Sequence, residues 1–138
     1  MTCELCIHLG GALLWQGERC RVVLVDDQDY PGYCRVIWQQ HIREMTDLSA
    51  VERAHFMVVV FAVETAIRAV MHPDKINLAS LGNVTPHLHW HLIPRYAQDV
   101  HFPLPIWAAP QREKTLPITL DWQARLEASV RSELECLN

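Results

Sequence analysis

The sequence predicts an α+β protein, an antiparallel sheet with helices packed on it. Three observations carry this. Two β-branched runs, Arg21–Val25 and Tyr33–Trp38, are separated by a short turn-rich stretch and should pair as a hairpin. A helical repeat follows, from Ser49 to about Met71. Two further strand-like segments then lead into a last helix.

Each element has a local reason. The first run ends at Asp26-Asp27, and Pro31-Gly32 suits the centre of a type II turn. Ser49 with Glu52 three residues later forms a capping box. In the helix it opens, Val51, Ala54, His55, Val58, Phe61, Ala62, Thr65, Ala66 and Ala69 recur at helical spacing and mark the expected buried face. Pro73 stops the helix, because proline disfavours helical backbone in the residue before it. Ile76–Ala79 and His87–Ile93 read as strands joined near Gly82-Asn83. Pro103, Pro105, Pro110 and Pro117 break the next stretch into irregular backbone. The last helix begins near Thr119 and runs through Leu126, Val130 and Leu134.

The chain has 138 residues, half of them apolar and a fifth charged, which suits one domain spanning 1–138. Twelve basic against sixteen acidic residues give a net charge of −4, which argues against a generic nucleic-acid binder. The longest apolar run, Phe56–Val63, is far short of the ~20 residues of a membrane span, so no membrane partner is expected. The first residues, Met1-Thr2-Cys3-Glu4-Leu5-Cys6, lack the basic start and apolar stretch of a signal peptide. Five cysteines match no disulfide framework, so a reducing, cytoplasmic compartment is expected.

The chemistry concentrates in His87-Leu88-His89-Trp90-His91. On a strand, His87, His89 and His91 share one face while Leu88, Trp90 and Leu92 enter the core. Imidazole is a metal ligand when neutral, and a nucleophile and general acid/base near neutral pH. A merely solvated strand face would not alternate so strictly with apolar residues.

The segment His87-Leu88-His89-Trp90-His91-Leu92-Ile93 resembles the signature of the histidine-triad (HIT) family, in which histidines alternate with apolar residues. Pro94-Arg95, Asp26, the Pro31-Gly32 turn, His41, Asp47-Leu48, the long helix and Asn77 also fall where many members have counterparts. The resemblance covers roughly residues 20–96, and is strongest to bacterial members described as dinucleoside polyphosphate hydrolases. It implies a HIT-like fold, with a sheet of about five strands, a long central helix and a C-terminal helix. It also implies a nucleotide hydrolase or transferase acting on the α-phosphate of dinucleoside polyphosphates or nucleoside phosphoramidates. His89 would attack phosphorus and carry the nucleotidyl group, His87 would orient it, and His91 would contact phosphate oxygens. By position, Asp26 would bind ribose hydroxyls, Asn77 would lie near ribose and phosphates, and Asn83 would donate to a phosphate oxygen. Asn and Asp also favour turns, which is the structural reading of Asp26 and Asn83. Where the family often carries Ser or Thr three residues before the triad, this chain has Val84, with Thr85 the next hydroxyl.

Cys3-Glu4-Leu5-Cys6 is a C-x-x-C pair, too little alone for a four-ligand metal site. Some HIT proteins complete such a pair with two histidines, which implies a structural zinc on Cys3, Cys6, His41 and His87. The alternative is two small, partly buried apolar residues near a chain end. No organic cofactor is implied. Cys20, Cys34 and Cys136 lack partners by spacing, and His55 reads as a core histidine. Family members are commonly homodimers, and the apolar stretch Phe102–Trp107 could reach a second subunit. Two rival functions remain at this level: a non-catalytic nucleotide-binding regulatory module, and a metal-binding protein using the triad histidines themselves.

Overall fold

The computed structural model describes residues 2–114 and 119–137. Its elements are α1 (Glu4–Ile7), β1 (Ala12–Gln16), β2 (Cys20–Leu24), β3 (Cys34–Trp38), a 3₁₀ turn (Met45–Asp47), α2 (Ala50–Met71), β4 (Lys75–Ala79), β5 (His89–Arg95) and α3 (Trp122–Glu135). The five strands form one antiparallel sheet in the order β1-β2-β3-β5-β4. This is the α+β architecture expected, with a central and a C-terminal helix.

The β2–β3 hairpin pairs Val23 with Arg35 and Leu24 with Cys34. Its turn carries Gly32 at φ +91°, where a Cβ would lie 2.8 Å from Met71 Cγ, so glycine is required twice over. Pairing of β3 with β5 sets Arg35 beside His91 and Ile37 beside His89. Because side chains alternate, Arg21, Val23, Arg35, Ile37, His89, His91, Ile93 and Arg95 share one face of the sheet. Cys20, Val22, Cys34, Val36, Trp38 and Leu92 occupy the other and pack on α2.

Three expectations shift. The triad strand starts at His89 rather than His87 and extends to Arg95. His87 sits at a bend, where the Leu88 amide donates to the Ile42 carbonyl and the Trp38 amide to that of Leu88. Pro94 is tolerated in β5 because pairing with β3 ends at Leu92, leaving one neighbouring strand there. The last helix starts at Trp122, three residues after Thr119, yet buries Leu126, Val130 and Leu134 as expected. Pro103, Pro105 and Pro110 lie in irregular backbone, while Pro117 lies outside the described residues.

The largest difference is the buried face of α2. The helix is capped by Ser49 and Glu52 as expected and ends at left-handed His72 just before Pro73. Its fully buried residues, however, are Phe56, Val59, Val60, Val63, Ala66 and Ile67. Of the stripe expected from periodicity, only Ala66 is among them, and Val51, Val58 and Phe61 are 71%, 45% and 51% exposed. A helix apolar nearly all round supports two helical registers, and tertiary packing chose the other. α2 is long and apolar enough to cross a membrane, but its buried face is the core shared with the sheet and α3.

One buried ion pair ties down the end of β5. Arg95 donates from Nε to Asp99 Oδ2 (2.8 Å) and from Nη2 to Oδ1 (3.0 Å). The same carboxylate accepts from the amides of Tyr96, His101 and Phe102 and from the Tyr30 hydroxyl. Burial alone would raise the Asp99 carboxyl, but Arg95 and these amides outweigh it and hold it down to about 2. A group depressed in the folded state stabilises above its unfolded pKa, and that contribution is lost as pH falls. Asp99→Ala should therefore cost about 3–5 kcal/mol in urea unfolding, because it strands the Arg95 cation. In Asp99→Asn, the acid loss of stability between about pH 4 and 2 should be smaller than in the wild type.

Candidate active site and metal centre

The site is built on the triad face of the sheet. A cleft of about 450 Å³ is lined by His89 and His91 on β5, Arg35 on β3, Leu5 on α1, residues 81–85 of the β4–β5 connection, and Trp107. The connection supplies Leu81, Gly82, Asn83, Val84 and Thr85. Asn83 and Thr85 are thus brought to the triad.

The imidazole of His89 has a fixed tautomer. Its Nδ1–H donates to the His87 carbonyl at 2.6 Å, which leaves the Nε2 lone pair free. Burial lowers its pKa, partly offset by that carbonyl and reinforced by the nearby Arg35 charge, so the ring stays neutral at neutral pH. His91 is pushed down to about 3 by burial, then by His89 and Arg35. The Tyr33 hydroxyl lies 2.6 Å from His91 Nδ1, and with that hydroxyl as donor the proton of His91 sits on Nε2, able to donate. The edge of Trp107 abuts His91, with ring centroids 5.2 Å apart. A nucleophilic nitrogen and a neutral donor therefore stand side by side.

His87 does not line this cleft. It is fully buried, and its Nε2–H donates to the Trp38 carbonyl at 2.6 Å. Burial lowers its pKa against the pull of that carbonyl. Its Nδ1 then faces Cys3 Sγ at 3.4 Å and Cys6 Sγ at 3.5 Å, while His41 Nδ1 lies 3.5 Å from Cys6 Sγ. The ligand atoms of Cys3, Cys6, His41 and His87 all fall within 4.8 Å of one another. Two thiols and two imidazoles on so short a radius can hold one metal ion. A carbonyl fixing the far nitrogen of His87 is the usual support of a histidine ligand.

Two expected site residues stand elsewhere. Asn77 shares the triad face of the sheet but is not among the cleft's lining, and its Oδ1 accepts from Arg95 Nη1 at 2.8 Å. Asp26 lines a separate hollow of about 760 Å³ with Gly11, Ala12, Leu24, Lys114 and Trp122. Val25 packs with Tyr30, Tyr33 and Ile93, and Asp26 follows it two residues past the end of β2. Conversely, Tyr33, Arg35, Leu5 and Trp107 belong to the site without having been singled out for it. A charged residue inside the strand Cys34–Trp38 was the signal for Arg35, but its neighbour across the sheet follows only from strand register.

Comparison with known proteins now fits onto this geometry. Residues 11–98 match the HIT domain, and the chain belongs to that family. A histidine triad protein from Marinobacter aquaeolei has 27% identity and a TM-score of 0.75, with 100% of this chain and 98% of that one covered. A zinc-bound histidine triad family protein from Mycobacterium smegmatis shares the fold at 20% identity, with a TM-score of 0.70 and coverage of 100% and 99%. The AP-4-A phosphorylase of Mycobacterium tuberculosis is 28% identical over 78 residues, which is 52% of this chain and only 40% of that protein. Family and relatives together support nucleotide processing in general.

The Cys/His cluster makes a direct prediction. Elemental analysis of protein purified without chelator should find about one metal ion per chain, and Cys3→Ser should lose it. The melting temperature should fall with it, because metal binding energy is folding energy. An unchanged melting curve and metal content in Cys3→Ser would count against the centre.

Proposed function

We propose that this protein is a nucleotide hydrolase or transferase that works through a covalent intermediate on His89. The observation that carries the reading is the bond from His89 Nδ1 to the His87 carbonyl, which presents an unprotonated Nε2 in a cleft beside a donor. In the first step, the Nε2 lone pair attacks the α-phosphorus of a nucleotide conjugate. The bond from phosphorus to the leaving group breaks, and the leaving group departs with the electron pair. His91 Nε2–H, Asn83 and Thr85, which line the same cleft, would donate to phosphate oxygens as charge develops there. In the second step, an acceptor attacks phosphorus, the P–N bond breaks and His89 is regenerated. The acceptor is water for a hydrolase. The AP-4-A phosphorylase among the relatives keeps phosphate as a second acceptor. Dinucleoside polyphosphates and nucleoside phosphoramidates both offer the required α-phosphate.

The metal we assign to Cys3, Cys6, His41 and His87 is zinc. Bond lengths of about 2.3 Å to sulfur and 2.0–2.1 Å to nitrogen put ligand atoms about 3.5–3.6 Å apart around a tetrahedral ion. The observed sulfur–nitrogen separations are 3.4 to 3.5 Å. Zinc with four protein ligands would have no open position, so it would brace His87 and hence the carbonyl that holds His89. The rival in which the triad itself chelates metal fits less well. His87 turns both ring nitrogens away from the cleft, and the Nδ1 atoms of His89 and His91 are already bonded. A chain carrying two reduced zinc thiolates suits a cytoplasmic setting.

The working unit we infer is a homodimer. The exposed apolar stripe of α2 at Val51, Val58 and Phe61 and the free edge of β4 suit a second copy of the chain. Phe61→Glu should shift sedimentation from dimer to monomer while leaving the circular dichroism spectrum in place. A monomeric wild type would refute this part.

The activity itself is tested with dinucleoside tri- and tetraphosphates, adenosine phosphoramidate and a nucleotide–lysine conjugate. Monophosphate release should vanish in His89→Ala while nucleotide binding persists. Binding without release by the wild type would instead favour a regulatory module.

A further inference from the structure

Three arginines stand on the triad face of the sheet, and two are consumed by the protein. Arg21 donates from Nε to the Leu9 carbonyl, from Nη1 to Gln39, and from Nη2 to the carbonyls of Leu5 and His8. Arg95 is held by Asp99, Asn77 and the Leu104 carbonyl. Arg35 differs from both. Its Nε is buried with no hydrogen-bond partner among the described residues. Among the described residues, Nη1 donates to the Gly10 carbonyl at 3.3 Å, and the guanidinium charge acts on the Tyr33 hydroxyl. No carboxylate pairs with it among the described residues. Its guanidinium lies 5.8 Å from the centroid of the Tyr33 ring.

Leaving a buried guanidinium donor unpaired is costly, so such a group points to a missing acceptor. Arg35 pairs with His91 across the sheet and lines the cleft with His89. Among the cleft's described lining residues, it is the one arginine, and no lysine or carboxylate stands with it.

We propose that Arg35 is the phosphate anchor of the cleft, its guanidinium fork pairing with unesterified phosphate oxygens of the substrate. This deepens the nucleotide reading above and rests on it for the identity of the substrate. A planar fork suits two phosphate oxygens at once, which a lysine ammonium cannot reproduce. Its charge sits where it can offset the negative charge brought to His89, a nucleophile that an anionic substrate would otherwise repel. It also favours substrates with several phosphate oxygens within reach.

The test separates binding from turnover. AMP and inorganic tripolyphosphate are titrated calorimetrically into wild type, Arg35→Met and Arg35→Lys, each checked by thermal melt. Arg35→Met should weaken at least one of the two by about tenfold to a hundredfold, the usual worth of a hydrogen bond to a charged group. Arg35→Lys should recover part of the loss, and wild-type affinity should fall with added salt more steeply than that of Arg35→Met. Loss confined to tripolyphosphate places the fork on the chain beyond the α-phosphate. Loss for AMP places it on the α-phosphate itself. Unchanged affinity for both in Arg35→Met, or no binding of either by wild type, overturns the proposal. Should Arg35→Met fail to fold, Arg35→Gln replaces it, with the same outcomes. A wild type that binds through Arg35 yet releases nothing from any conjugate would sink the enzyme reading and leave the anchor standing.

Discussion

His87 is the residue on which the site turns. Its ring, buried and pinned by the Trp38 carbonyl, faces the two cysteines of the N-terminal segment. Its own carbonyl holds His89 in one tautomer. A single residue thus joins the Cys/His cluster on one side to the ring of His89 on the other through one peptide unit. Because a peptide is planar, a fixed ring and backbone at position 87 leave the carbonyl little freedom to swing. The orientation of the His89 ring is therefore set by rigid backbone geometry and not by flexible side-chain packing.

The remainder of the molecule supports this arrangement in layers. One face of the sheet is given to α2 and the core, the other to histidines, arginines and the N-terminal segment. Arg21 ties four backbone and side-chain acceptors of that segment and the β3 exit to the sheet. Asp99 gathers Arg95, Tyr30 and three amides at the far end of β5. Asp99 thus fixes the far end of β5, and the first part of that strand, with His89 and His91, lines the cleft.

Much of this could be read in the residues, and the misses have physical causes. The capping box at Ser49, the turn at Gly32 and the alternation around His89 are local signals, and local signals survive folding. The buried face of α2 was ambiguous because apolar residues surround the helix, so periodicity alone could not choose between faces. β1 escaped notice because a register shift between Leu13 and Trp15 breaks the alternation that marks a strand. Asp26 lies past the end of β2, where alternation no longer tells which way a side chain faces. Arg35 needed strand pairing, a non-local fact, before its place beside His91 could be seen.

The four-residue α1 has a consequence for how the molecule breathes. It is too short to persist as a helix by itself and is fastened mainly by Arg21 and by Leu5 against Val23 and Ile37. Elements with so few contacts open at lower free energy than the sheet they rest on. Detachment of this segment alone would carry Cys3 and Cys6 away from His41 and His87 while the core stays shut. In hydrogen exchange, the amides of Cys6 and Ile7, which bond to the Cys3 carbonyl, would then exchange ahead of those of the sheet.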